Sequence, residues 1–220
     1  LMCAGRNTRG QLGDDTFADR GVPVSVVNSG AVVDVAALAE ATCALDDQGF
    51  VRCWGHCGYG VLGPQYPTED GEGCDQKRPV LIDGLDDVTA ISAGDWFACG
   101  RRVDGSVWCW GRNAFGSLGR GSVELSSVPR PVNNVSNVAG ISAGAYHACA
   151  LTFAGEVLCW GANNRGQLGL GDDSQRLEPT SLGLNNMVQL VSGGYHSCAL
   201  SASGELMCWG ANRHGELGVA

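Results

Sequence analysis

Apolar residues along this chain come in short runs, each ended by Gly, Asp, Asn or Pro. His147 to Thr152 reads as one strand, Phe153-Ala154-Gly155 as a turn, and Glu156 to Trp160 as the returning strand. Gly and Asp also mark the tips at Asp47-Gln48-Gly49, Asp104-Gly105 and Ser203-Gly204, as tight hairpins require. Upstream of each hairpin lies another apolar run with strand character: Val88-Thr89-Ala90-Ile91, Val138-Ala139-Gly140-Ile141, Met187-Val188-Gln189-Leu190. A Pro-bearing segment recurs downstream, at Val22-Pro23-Val24, Arg78-Pro79-Val80, Pro129-Arg130-Pro131-Val132 and Glu178-Pro179-Thr180. Proline cannot donate to a ladder, so these segments are expected as edge strands or strand starts.

The pattern repeats. CWG-x-N-x-x-G-x-L-G, with variations, starts at Cys3, Cys53, Cys109, Cys159 and Cys208, at spacings of 50, 56, 50 and 49 residues. A second motif precedes four of these copies: Ala41-Thr42-Cys43-Ala44-Leu45, Phe97-Ala98-Cys99, His147-Ala148-Cys149 and His196-Ser197-Cys198. The array fills residues 1–220 as units 3–52, 53–108, 109–158, 159–207 and a partial 208–220. A period of about 50 residues built from short strands predicts a β-propeller blade.

The pattern G-x-x-H-[ST]-C-A-L followed by G-x-[VL]-x-C-W-G-x-N-x-x-G-Q-L-G resembles the repeat of the regulator of chromosome condensation family, most fully at Gly144 to Gly169 and Gly193 to Gly218. The resemblance implies an all-β propeller of four-stranded blades, usually seven. About four blades are present, so the expectation is an open arc, a fragment of a seven-bladed propeller; a closed small propeller is the alternative.

Four strand cysteines each precede a CWG cysteine by ten positions: Cys43 and Cys53, Cys99 and Cys109, Cys149 and Cys159, Cys198 and Cys208. Residues equidistant from a hairpin turn face one another at a Cα separation a disulfide accepts. Cys57 and Cys74, in the one long period, are expected as a local staple. Cys3 is left over, its partner expected ten residues upstream of it, before the chain's start. Paired cysteines imply an oxidising compartment, hence an extracellular or cell-surface location. The alternative is a cytoplasmic protein whose reduced cysteines pack as small hydrophobes. A metal site at Cys53, His56, Cys57 and Cys74 lacks the usual spacing and would break the first pair, so no metal is expected.

Composition narrows the function. There are 14 Lys+Arg against 23 Asp+Glu, a formal charge of -9, and basic residues do not cluster beyond pairs. Nucleic acid is therefore not an expected partner. Gly, at 34 residues, argues against a helical bundle, and no apolar stretch reaches the ~20 residues of a membrane helix, so no membrane insertion is expected. No nucleophile–base constellation, phosphate loop or cofactor motif appears, and the chain is read as not an enzyme, with no small-molecule cofactor.

Trp54, Trp110, Trp160 and Trp209 recur once per blade, which favours packing between blades over sugar stacking. His147 and His196 share a repeat position with Ala41 and Phe97, so they are expected as structural core rather than as ligands or bases. His56 and His214 are expected to be solvated. Trp96 and Trp108 are expected near one another across one hairpin. The chain thus reads as a scaffold recognising an unknown protein partner through blade loops. The preferred contact is the stapled loop, at Gln65, Tyr66, Glu69, Asp70 and Glu72, because a stapled loop loses less entropy on binding. The alternative is guanine-nucleotide exchange on a small GTPase, as in the family's founding member; its wedge insertion has no residue-by-residue match here.

Overall fold

The computed structural model describes residues 1–66 and 73–219. It is all-β. The first two strands, β1 (Met2–Gly5) and β2 (Arg20–Ser25), form a two-stranded sheet. A four-stranded meander follows: β3 (Val32–Ala37), β4 (Ala41–Asp46), β5 (Val51–Gly55) and β6 (Gln76–Leu81). The second comprises β7 (Val88–Ala93), β8 (Phe97–Arg102), β9 (Val107–Gly111) and β10 (Ser126–Pro131). The third comprises β11 (Val138–Ala143), β12 (His147–Thr152), β13 (Val157–Gly161) and β14 (Arg176–Ser181). The last sheet holds β15 (Met187–Ser192), β16 (His196–Ser201) and β17 (Leu206–Gly210). Among the described residues the one helical turn is the 3-10 segment Gly58–Gly60.

These sheets are propeller blades. The first strands β3, β7, β11 and β15 approach one another in succession, so the sheets fan out from a common axis, and they do not close into a ring. The Pro-bearing strands β2, β6, β10 and β14 all lie at a sheet edge, where a missing N–H costs no ladder bond. The sequence period is out of phase with the blades. A unit counted from Cys53 begins in the third strand of one sheet and runs into the third strand of the next.

The second strands β4 and β12 are covered on both faces; every residue of β4 is buried, and all of β12 but Thr152. In the paired register Cys43 lies opposite Cys53, Cys99 opposite Cys109, Cys149 opposite Cys159 and Cys198 opposite Cys208. The Cα separations are 4.0 Å for the first pair and 4.1 Å for the others, and all four pairs of sulfurs lie at disulfide distance. Cys57 and Cys74 are also at disulfide distance, with Cα atoms 5.8 Å apart, and Cys3 is free and half-buried.

The blades are joined by the Trp of CWG. Opposite Trp54, Trp110 and Trp160 the ladder to the edge strand shifts register, for example between Cys53 and Gly55 and between Cys159 and Gly161. Such an irregularity re-aims a side chain. The indole N–H of Trp54 donates to the Gln11 carbonyl at 2.9 Å, that of Trp110 to Val61 at 2.8 Å, that of Trp160 to Ser117 at 2.8 Å and that of Trp209 to Gln167 at 3.0 Å. Every acceptor lies in the L-G loop of the preceding blade. The loop glycine makes room: a Cβ on Gly119, whose φ is +65°, would lie 2.9 Å from the Trp160 indole nitrogen. The tethering Asn holds the same loop. Asn113 accepts from the Leu118 N–H at 2.8 Å and donates to the Ser122 and Glu124 carbonyls.

Two expectations follow. Alkylation of the intact, unreduced protein in denaturant should add one label, and alkylation after reduction should label all 11 cysteines. A larger unreduced count would remove the cross-ties within blades. Trp160→Phe keeps an aromatic ring but removes the indole N–H and part of the buried volume, and orphans the buried Ser117 carbonyl. Urea unfolding should show a loss of about 1–3 kcal/mol, and an unchanged midpoint would show that the bond adds nothing.

Candidate functional site

Antiparallel connectivity puts two kinds of loop at one end of every blade: the turn between its first two strands and the loop after CWG. The first turns are tied in series across blades. The Ala39 N–H donates to Asp95 O at 3.2 Å, Asp95 to Ala145 at 3.1 Å and Ala145 to Gly194 at 3.0 Å. Behind them the rings of Phe97, His147 and His196 lie so close over Gly94, Gly144 and Gly193 that a Cβ on any of these glycines would collide with them. The first blade exchanges the volumes, with Leu38 at the glycine position and Ala41 at the ring position.

His147 is fully buried, and its Nε2 lies 2.9 Å from the Ser197 hydroxyl. That hydroxyl donates to the Gln167 carbonyl at 3.2 Å, so its oxygen is left to accept from Nε2–H. Nδ1 is bare and has no partner. Burial, followed by the charge of His196, holds the His147 pKa down at about 4. A neutral ring without an open path to solvent is a packing element, not a base. Trp54, Trp110 and Trp160 are likewise fully buried, and Trp209 and His196 are half-buried.

In front of this layer the same loops carry a row of aromatic rings around one guanidinium. Trp96 meets Tyr59 edge-on at 5.6 Å and His56 at 5.4 Å. Arg112 lies 4.6 Å from the Tyr59 ring and 5.8 Å from the Tyr146 ring. Tyr146 continues to Phe115 at 5.5 Å and to Tyr195 at 6.3 Å. Burial, then the Asp95 carboxylate, pushes the Tyr146 phenol upward, so it stays a neutral donor. Phe115 and Tyr195 are 39% and 44% exposed, too open for core residues. Two hollows flank Arg112. One of about 370 Å³ is bordered by Tyr59, Ala114 and Leu125. The other, about 250 Å³, is bordered by Phe115, Tyr146, Ala162, Asn164 and Tyr195. Trp, Tyr and Arg gathered in this way are the residues that dominate protein–protein binding energy.

Several sequence expectations meet this geometry differently. Gln65 donates to the Leu81 carbonyl at 2.9 Å, and Tyr66 packs beside the first core cluster, so both serve their own blade. Glu69, Asp70 and Glu72 lie outside the described residues. His56 is buried rather than solvated, because Asp75 lies 2.9 Å from its Nδ1 and the Trp96 ring covers it. His214 is exposed. Trp96 and Trp108 are not neighbours: Trp108 opposes Gly100, and Trp96 lies in the turn at the other end of the hairpin. Trp108 instead lies beside Arg102. Among the described residues no group of three or more His, Cys, Asp or Glu could hold a metal ion. No helix is long and apolar enough to cross a membrane. The aromatic row itself was missed. Its signal was the residue just before the Phe97, His147 and His196 positions, which is aromatic at Trp96, Tyr146 and Tyr195.

A family model described as the RCC1-like domain matches residues 1–220. The ultraviolet-B receptor UVR8 of Arabidopsis thaliana is 34% identical over 138 residues, 60% of this chain and 30% of that protein. The E3 ubiquitin-protein ligase HERC2 of Homo sapiens is 32% identical over 136 residues, 59% of this chain and 3% of that protein. The chain thus spans less than a third of either relative. Among solved structures, human WBSCR16 superposes with a TM-score of 0.83 at 23% identity, covering 99% of this chain and 58% of that one. Yeast RCC1 (Prp20), solved bound to Kap60, gives 0.75 at 23% identity, over 91% of this chain and 49% of that one. At this identity the structural likeness shows the fold.

The buried histidine makes stability depend on acidity. Between pH 6.5 and about 4 an unfolded chain protonates this imidazole while the folded one does not. The stabilisation it contributes is therefore whole above pH 6.5 and is lost as pH falls toward 4, up to about 3 kcal/mol. His147→Phe, which copies Phe97, should leave stability at pH 7.5 nearly unchanged and flatten the decline between pH 6.5 and 4.5. Equal slopes in urea unfolding would show that His147 is not the sensitive group.

Proposed function

The chain belongs to the RCC1-like domain family, and on that premise we propose that it is a non-catalytic protein-interaction scaffold whose contact surface is the aromatic row around Arg112. The observation that carries the reading is the arrangement of Tyr59, Trp96, Arg112, Phe115, Tyr146 and Tyr195. These side chains come from loops of successive blades and are held by a backbone they do not themselves stabilise. Rings placed on a rigid frame lose little conformational freedom on binding. Yeast RCC1, which shares this fold, was solved bound to another protein, Kap60.

Ten cysteines at disulfide distance favour an extracellular or cell-surface setting, since reducing compartments rarely maintain such bonds. Guanine-nucleotide exchange draws support from family membership alone; no residue of this chain argues for it.

The test places a photo-crosslinking benzoylphenylalanine at Phe115 or at Phe153, which is 73% exposed at a hairpin tip at the opposite end of the blades. Irradiation in the producing cells should yield discrete protein adducts from position 115 and none from 153. Adducts from 153 alone, or none from 115, would overturn the assignment.

A further inference from the structure

The two ends of the blades differ in charge. Exposed Asp47, Asp83, Asp86, Asp87 and Asp104 lie at the hairpin-tip end, where Arg102 pairs with Asp86 and Asp87. At the aromatic end five carboxylates are held by cations: Asp14 by Arg20, Asp15 by Lys77 and Arg78, Asp75 by Arg9, Asp172 by Arg176, and Glu40 by Arg6 and Arg9, while Asp19, Asp95, Glu124, Asp173 and Glu216 make no ion pair among the described residues. Among the described residues no carboxylate lies within 4.0 Å of Arg112 or Arg165. Arg112 is engaged only by the faces of Tyr59 and Tyr146, which leaves the edge of its guanidinium, with its N–H donors, without an acceptor. Arg165 is exposed and borders a third hollow that shares Asn164 and Tyr195 with the one beside Arg112. Glu124 borders the hollow beside Tyr59 and Glu216 the one beside Arg165, but neither pairs with these two guanidiniums, which in a chain of net charge -9 form a complementary surface lacking its counterpart.

We propose that the aromatic end binds an acidic protein segment, with an aromatic or aliphatic side chain entering the 250 Å³ hollow between Phe115, Tyr146 and Tyr195 and flanking carboxylates accepting from Arg112 and Arg165. This rests on the scaffold reading above and adds the chemistry of the partner. The hollow is of a size for one side chain, not for a cofactor. Stacked arginine suits planar carboxylates, which it can meet edge-on with paired N–H donors. A polyanionic nucleic acid would be repelled by the remaining acidic surface.

The probe is a fluorescein-labelled peptide of alternating Asp, Glu and Leu with one central Trp. Its counterpart has Lys in place of every acidic residue, and a single-stranded oligonucleotide of equal charge is the third probe. Fluorescence anisotropy should show the acidic peptide bound, weakened by added salt, and the Lys peptide not bound. Arg112→Ala should raise the dissociation constant about tenfold, as for the loss of one hydrogen bond to a charged group. Arg165→Glu, at an exposed position that cannot disturb folding, should weaken binding by a similar factor. The acidic peptide failing to bind, binding equally to Arg165→Glu, or binding less tightly than the oligonucleotide would each overturn the proposal. Crosslinked adducts at position 115 alongside such a failure would remove the acidic preference and leave the scaffold standing.

Discussion

The indole N–H that crosses from each blade to the L-G loop of the one before it is the constraint on which the rest of the molecule depends. A blade is a small sheet with two apolar faces and cannot be stable alone. Burying one face against the neighbour is non-directional and would tolerate sliding. The Trp bond removes that freedom, because a buried carbonyl without a donor costs more than the bond itself supplies. Asn113 and Asn163 hold the acceptor loops from inside, through the Leu118 and Leu168 amides. Gly119 and Gly169 let the indole come close. One residue type therefore sets both the spacing and the register between blades.

The cysteines act on a different axis. Four of the five pairs join the second and third strands of one sheet, and Cys57–Cys74 closes the loop between β5 and β6, so the cross-ties stiffen blades without linking them. Cohesion between blades is left to the Trp, to the backbone bonds running from Ala39 through Asp95 and Ala145 to Gly194, and to the rings of Phe97 and His147. This division suits a display platform. Covalent closure of a short hairpin loop restricts the unfolded chain, while the non-covalent joints fix the angle at which successive loops present Trp96, Tyr146 and Tyr195.

What could be read in advance follows from which residues restrict the backbone locally. Gly155 at a hairpin tip, Pro129 at an edge and cysteines equidistant from a turn act within one hairpin, and the sequence alone carries that information. His56 shows the opposite case. It looked solvated because its covering groups, Asp75 and Trp96, are brought in from the following strand and the next blade. The aromatic row failed for the same reason: Tyr59, Arg112 and Tyr146 belong to three different blades, and nothing in any one of them announces that they meet. Trp96 and Trp108 were misplaced by counting along the chain where the ladder had to be counted across it; Gly100, not a residue near Trp96, opposes Trp108.

The first blade shows how the repeat separates what it must keep from what it can vary. Elsewhere a ring lies on a glycine, Phe97 on Gly94 and His147 on Gly144. Here Leu38 and Ala41 fill the corresponding space with the large side chain moved three residues earlier, and the backbone bond from Ala39 to Asp95 survives. Just beyond Leu38, Glu40 occupies the position of Trp96, Tyr146 and Tyr195, and it pairs with Arg6 and Arg9. The layer that holds blades together thus conserves volume, while the layer in front of it changes chemistry freely, from an ion pair in one blade to stacked rings in the next. A surface whose residues can be exchanged without touching the joints beneath is one on which specificity can be written, and the guanidinium of Arg112 lies on it between two tyrosines.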